Sequence, residues 1–393
     1  MPTEEAVIVA GARTAIGTAY RGTLAETDAM TLGTAAVAEA VSRSGIPAEL
    51  FDDVILGESL YGGGDIARYA AIEAGLVNAP GVAHNRHCAS GLATLQSAAA
   101  SVIAGMDRVV VAGGVQSSST APVTRRRAPG TDAYSEEDWL APSHRETPDA
   151  PTRDMSLTVG WNAAVKAGIS RQDMDAWAYR SHLRAVAGID SGAFADEVFP
   201  LAVTRRDGSV TTFEVDEHPR RTSTLEKLAS LKPLHPEIEG FSITAGNAAG
   251  INDGAAALVV TSRSFAAARG LEPLAVVRAW ASAGVPPADT GLAPIVAIPR
   301  VLARAGLAIG DVDLWEINEA FASVPIAACR QLGIDEGIVN VLGSGCSLGH
   351  PVAMTGARMT LTLVHELRRR GGGTAVAAMC AGGGMASALL LEV

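Results

Sequence analysis

Four side chains, Cys88, His350, Cys380 and Asn318, have the types and settings for covalent nucleophilic chemistry. Cys88 lies in Asn85-Arg-His-Cys-Ala-Ser-Gly91, directly before residues 89–105, whose composition predicts a helix. Unpaired N–H groups and the helix dipole at such an N-terminus stabilise a thiolate, so the spacing predicts a thiol pKa lowered from about 8.5 and a reactive nucleophile. The bland alternative for any single Cys is a buried, inert thiol. His350 lies in Gly345-Cys-Ser-Leu-Gly-His-Pro351, where small residues permit close approach and a helix over 351–370, with Pro351 in its first turn, would fix the imidazole. A general base within hydrogen-bond reach of Cys88 would complete an activated nucleophile. A core histidine is the competing reading.

Cys380, in Met379-Cys-Ala-Gly-Gly-Gly384, ends an apolar strand and enters a turn whose amides, Gly382 among them, could point at an oxyanion. A second thiol there can carry a proton to or from carbon, although a small apolar filler would suit the position equally. Asn318 opens Asn318-Glu-Ala-Phe321 after a strand, at the carboxyl end where α/β folds gather reacting groups. Its amide can hold a water or carbonyl oxygen without titrating, or simply cap a helix.

An internal repeat supplies the elements that must position these groups. Asp53-Val-Ile-Leu-Gly-Glu58 matches Asp311-Val-Asp-Leu-Trp-Glu316, and similar intervals then lead to Cys88 and to His350. Both predicted helices run into apolar strands, Val109-Val-Val-Ala112 and Ala375-Val-Ala-Ala378, while Ala6-Val-Ile-Val9 and Ala275-Val-Val277 open the two halves. The order strand, helix, strand, helix, strand occurs twice, which implies parallel sheet with helix cover. The expected fold class is α/β, a duplicated body layered α/β/α/β/α, with the nearly all-apolar 89–105 helix buried between layers. The expected halves are 1–118 plus 245–272 and 273–393, with 119–244 as an inserted, loop-rich domain whose segment 171–187 is helical. Cys88 and His350 then sit at equivalent helix ends related by a pseudo-two-fold, so that distant residues can share one centre.

Composition sets outer limits. With 393 residues a large core can be buried, and with 4% aromatics and 42 glycines it must be built from Ala, Val, Leu and Ile in close contact. A net charge of −11 argues against a nucleic-acid partner. Four scattered cysteines form neither a metal-ligand set nor a disulfide framework, so a reducing, cytoplasmic setting and no metal are expected; the acidic start also lacks the pattern of a signal peptide. The uncharged run 371–391 after three arginines imitates a membrane span, but its glycine triplets predict two buried strands around a turn. Within 343–349, a G-x-S-x-G elbow is followed by no acid that precedes a His, so the hydrolase order cannot be assembled. A dinucleotide-like glycine pattern after a strand at 338–342 lacks its acidic strand end.

Taken together, the fragments around Cys88, Asn318, His350 and Cys380, with Thr244-Ala-Gly-Asn-Ala248, Gly250-Ile-Asn-Asp-Gly-Ala255 and Leu225-Glu-Lys-Leu-Ala-Ser-Leu-Lys-Pro233, resemble the thiolase family over essentially the whole chain. The resemblance implies an acyl-CoA C-acetyltransferase that reversibly condenses or cleaves 3-ketoacyl-CoA. Cys88 would accept the acyl group, His350 would activate it, and Cys380 would exchange the α-carbon proton. Asn318 would position a water that steadies the enolate together with His350, while the N–H groups of Cys88 and Gly382 would form a second oxyanion site. CoA would be a substrate rather than a tightly bound cofactor, held by 119–244 through Arg220 and Lys227, with Ala249 near the pantetheine and Met155 beside it. A role for Arg125–Arg127 in phosphate binding is weaker than a solvated loop.

A homodimer or homotetramer and fatty-acid breakdown follow from the same resemblance. Departures fall around the substrate: Ala249 for a common serine, Gln116 for a buried glutamate, Asp154 for a histidine, and Gly160-Trp161 within an acid–Asn pattern. Two other functions remain open at this level. A decarboxylating ketoacyl synthase shares the doubled architecture but generally carries His or Asn where Cys380 falls, and a non-catalytic CoA-binding relative would keep the fold alone.

Overall fold

The protein is seen in a computed structural model that describes residues 4–59, 61 and 64–393. The first half runs β1 (Ala6–Arg13), β2 (Gly17–Thr18), α1 (Ala29–Ser44), β3 (Asp53–Gly57), α2 (Ile66–Glu73), β4 (Gly81–His84), α3 (Ser90–Ile103) and β5 (Val109–Gln116). Then come α4 (Asn162–Lys166), α5 (Arg171–Asp190), the β6 (Leu201–Thr204) and β7 (Val210–Phe213) hairpin, α6 (Leu225–Ala229), β8 (Asn252–Ser262) and α7 (Arg263–Ala268). The second half comprises β9 (Ala275–Gly284), α8 (Pro294–Ala305), β10 (Leu314–Ile317), α9 (Ser323–Leu332), α10 (Gly345–Leu348), α11 (Thr355–Arg370), β11 (Thr374–Ala381) and β12 (Met385–Glu392).

Local chemistry sets several ends. Asp28 accepts from Thr31 N–H to start α1, and Gly45 at φ 62° ends it. Ser170 and Asp173 close a capping box on α5. Gly371, at φ 89°, stops α11 after its run of arginines, whose charge suits a helix C-terminus.

The strands follow the order β10-β11-β12-β9-β1-β8-β5-β3-β4. Alternate side chains divide the core into three. Val7, Val54, Val111 and Val259 pack on α1 and α2, while Ala281, Trp315, Val376 and Leu390 pack on α8 and α9. Between them, Ile8, Val110 and Leu258 from one half and Ala375, Met379 and Leu389 from the other close on α3 and α11. This is the α/β/α/β/α layering, produced by the period-two alternation of doubly covered strands. Each leucine of α3 that is fully buried there, such as Leu92 and Leu95, contributes about 1.5–3 kcal/mol. Small residues let the two central helices touch: a Cβ on Gly91 would stand 2.7 Å from Ala357 N.

The expectation of a parallel sheet is corrected. β4, β3 and β5 are parallel, as are β10 and β11. However, β8 returns antiparallel between β1 and β5, β12 folds back on β11, and the halves join through antiparallel β1 and β9. The second half therefore adds β12 by a short return, whereas the first half adds β8 only after the long excursion of residues 117–251. Segment 371–391 is indeed β11, a glycine turn and β12, and no described helix is long and apolar enough to cross a membrane.

Three local expectations also change. The strand read from Asp311 starts at Leu314, because Ile309–Asp311 forms a 3₁₀ turn. The strand at 338–342 reduces to a single bridge, Val339 to Trp315. The helix after His350 starts at Thr355 rather than Pro351, whose carbonyl instead closes a turn by accepting from Met354 and Thr355.

Candidate active site

Residues 89–91 and 353–357 cross where Gly91 packs on Ala353 and Ala357, so the segments that follow Cys88 and His350 are held against each other. His350 is fixed from both sides: its N–H donates to Asn252 Oδ1 at 3.0 Å, and Nδ1 lies 2.7 Å from Thr355 Oγ1. Thr355 gives its own proton to the Pro351 carbonyl, so the network assigns a proton to Nδ1 and leaves Nε2 unprotonated, an acceptor for the Asn318 amide. Nε2 stands 3.4 Å from the amide nitrogen of Asn318. Burial, with the nearby Arg358 charge, pushes His350 down to about 3, so the imidazole is neutral.

Asn318 is completely buried at the end of β10, and its N–H donates to Ala378 O on β11. Its Oδ1 has no partner among the described residues, which leaves an acceptor for a group entering the site. A Cβ on Gly345 would stand 2.9 Å from that oxygen, so glycine is what allows the approach.

Cys88 is half-buried, and the helix-lowered thiol expected for it is corrected. Burial pushes the thiol up, opposed by the N–H groups of Gly382 and of Cys88 itself. Helix α3 begins two residues later, at Ser90, and burial outweighs the two N–H contacts. Cys380, one residue from the end of β11, is pushed up by burial and then by the neighbouring Cys88. Both sulfurs therefore rest as thiols beside a neutral imidazole, and the Gly382 amide points at the first of them.

Of the other expected residues, Met155 reaches Gly382, since a Cβ there would lie 3.9 Å from its sulfur. Ala249 is tied through its N–H to Ala320 O, two residues before the bridge of Ile251 with His350. Arg220 and Lys227 stand apart from these groups, lining a cleft of about 370 Å³ with His182, His218, Thr222 and Ser223. The exposed guanidinium of Arg220 has no ion-pair partner among the described residues, while Lys227 Nζ donates to Thr222 O. Desolvation lowers both His182 and His218 to about 4. A second cleft of about 370 Å³, around Phe194 and Val198, contains none of the candidate residues. Arg125, Arg126 and Arg127 lie on an exposed loop, with Arg127 paired to Asp132. Among the described residues no group of His, Cys, Asp and Glu is placed to hold a metal.

The departures have local consequences. Asp154 accepts from Ser156 and Leu157 at the head of a π-helical turn, Ser156–Trp161, and pairs with His235 at 2.7 Å. Gln116 accepts from Ser59 and donates to Ser118, so hydroxyls satisfy the neutral amide.

The sequence reading also missed a buried carboxylate. Glu319 is buried and accepts from Trp177 Nε1, Ser181 Oγ, Asn340 Nδ2 and Cys346 N–H, tying α5 and α10 to the strand end that carries Asn318. The only signal was a carboxylate inside the quoted Asn318-Glu-Ala-Phe321. Ser347, the false elbow serine, bonds Ser181 and Ser344 in the core.

Comparison with known proteins agrees along the chain. Residues 6–264 match the family model described as thiolase, N-terminal domain, and 271–393 that of thiolase, C-terminal domain. An acetyl-CoA acetyltransferase of Pseudomonas aeruginosa is 40% identical, with 99% of each chain covered. A 3-oxoadipyl-CoA/3-oxo-5,6-dehydrosuberyl-CoA thiolase of Escherichia coli is 41% identical, again with 99% of each covered. The crystal structure of human mitochondrial 3-ketoacyl-CoA thiolase superposes with a TM-score of 0.90 at 34% identity, covering 100% of this chain and 99% of the other.

Proposed function

Because the chain belongs to the thiolase family, and is an acyltransferase acting on CoA thioesters, we propose that its reaction runs through an acyl thioester on Cys88. The observation that carries this reading is the Gly382 N–H on the Cys88 sulfur, with Cys380 alongside. In the cleavage direction Cys88 Sγ attacks the 3-carbonyl carbon while its proton passes to His350 Nε2. The N–H groups of Cys88 and Gly382 receive the developing oxyanion. The bond between C2 and C3 then breaks, its electron pair stays on C2 as the acetyl-CoA enolate, and Asn318 with His350 steadies the enolate oxygen. Cys380, a thiol at rest, delivers its proton to C2. Acetyl-CoA leaves, a free CoA thiol gives its proton to the Cys380 thiolate and attacks the acyl carbon, and the Cys88 sulfur departs and takes back the proton held by His350.

The resting state suits this sequence, since a neutral thiol and a neutral base cost little to bury and become charged only as the substrate closes the site. CoA fits with its phosphates toward Arg220 and Lys227, in the segment 119–244 read as its holding domain, and its pantetheine running toward Ala249 and Met155. The four free thiols fit a reducing compartment such as the cytoplasm. The reading extends to fatty-acid breakdown and to an assembly of two or four copies, for which the open side of edge strand β4 is a surface.

The test is cleavage of 3-ketoacyl-CoA thioesters by free CoA over a range of chain lengths. Turnover by the wild-type chain and none by Cys88→Ala supports the reading. Equal turnover by both, or none by either, would overturn it.

A further inference from the structure

Gly382 has neither a positive φ nor a crowded neighbour that would require glycine. A Cβ built there meets only the ring of His87, at 3.8 Å, and the sulfur of Met155, at 3.9 Å. Both are ordinary contact distances. The space in front of the amide aimed at Cys88 is therefore a slot between an imidazole and a thioether, kept open by the glycine. Ser143 lies over the adjoining Gly383.

His87 is placed there with unusual care. Its backbone takes φ 46°, rare for a residue with a side chain. That conformation is held because His87 N–H donates to Asn85 Oδ1 at 2.9 Å and its carbonyl accepts from the Ser90 hydroxyl at 2.7 Å. The ring is half-buried, and neither of its nitrogens has a hydrogen-bond partner among the described residues. Desolvation lowers its pKa, so one nitrogen donates and the other accepts. The nitrogens still reach solvent, so a plain hydrocarbon filling the slot would cover them without replacing their water, which is costly, whereas a polar acceptor replaces it.

Resting on the acyl-transfer reading above, we infer that His87 determines acyl specificity: its ring hydrogen-bonds a polar acceptor on the acyl chain. The preferred 3-ketoacyl group then ends in a carboxylate or hydroxyl rather than in a methyl. The Met155 sulfur forms the opposite wall, against the methylenes between the thioester and that group.

Calorimetric titration of the Cys88→Ala chain, which separates binding from turnover, tests this with three six-carbon 3-ketoacyl-CoA thioesters ending in carboxylate, hydroxyl or methyl. The carboxylate form is expected to bind about tenfold more tightly than the methyl form. His87→Phe in the same background should bring that ratio close to one, while His87→Gln, which keeps an N–H donor, should retain most of it; circular dichroism checks that both variants fold. A hydroxyl form bound as tightly as the carboxylate form supports the hydrogen bond from His87, and one bound like the methyl form would contradict it, since a neutral imidazole cannot select for charge alone. Equal or tighter binding of the methyl form, or a ratio that survives His87→Phe, would overturn it. Failure of the wild-type chain to cleave any of the three, with the binding ratio intact, would instead count against the proposed reaction alone.

Discussion

The corner before α3 and the corner before α11 hold equivalent places in the repeat, yet they are built in opposite ways. Cys88 is half-buried, follows a residue at positive φ, and receives N–H groups on its sulfur. His350 is buried and anchored by Asn252 and Thr355, beside the buried ion pair of Arg358 with Glu316. The difference separates two tasks: the first corner must admit a substrate and exchange a bond with it, whereas the second must hold one lone pair still. Duplication supplied two similar sites, and the buried polar network of the second half made one of them rigid.

Removing the base should produce the largest break in this pairing. His350→Ala is expected to lower turnover by about four orders of magnitude, as for other members of nucleophile–base units, with CoA affinity nearly unchanged. Steady-state kinetics beside calorimetry with CoA would check this. Rigidity is tested by Arg358→Met, which strands the Glu316 carboxylate in the core; urea unfolding should show a loss of about 3–5 kcal/mol. Arg108→Met, which breaks an exposed pair with Asp52 in the first half, should leave the urea midpoint almost unchanged. Asn318→Ala should lower kcat about a hundredfold or more by removing enolate stabilisation, with a smaller change in KM.

Acid should then distinguish the corners. His350 has its folded pKa lowered to about 3, so the unfolded chain binds more protons between that value and about 6.5. Its contribution to stability is complete above about 6.5 and is lost as pH falls through the window. His182 and His218, lowered to about 4, act in the same direction. Thermal midpoints should drop as pH is lowered from 6.5 to 4, less steeply in His350→Asn. The smallest effect belongs to the remote cleft, where Arg220→Ala should raise KM for CoA about tenfold and leave kcat in place.

Much of this was legible because spacing and residue type survive projection onto one dimension. Two apolar strands around a glycine turn are legible in 371–391, and the doubled order of elements implies the layers. Burial and neighbours do not project in that way. The dipole argument for Cys88 had the right residue and the wrong direction of shift, because the surrounding sheet ends desolvate the thiol. Pro351 suggested a helix start, but its carbonyl was needed to close the turn that aims His350. Alternating elements suggested parallel pairing, whereas β8 and β12 return by routes no local pattern specifies. Glu319 was hidden for a similar reason: its four donors come from α5, α10 and the 339–341 segment, each remote in sequence. His87, inside a quoted motif, became visible only when its ring was found facing an open slot.

The central claim is that the two corners act on one sulfur. Incubation with acetyl-CoA followed by peptide mass mapping tests it most directly: one acetyl group should appear on the peptide containing Cys88, with its formation strongly slowed in His350→Ala. Acetylation of Cys346 or Cys380 instead, or labelling of Cys88 at an unchanged rate without His350, would contradict it.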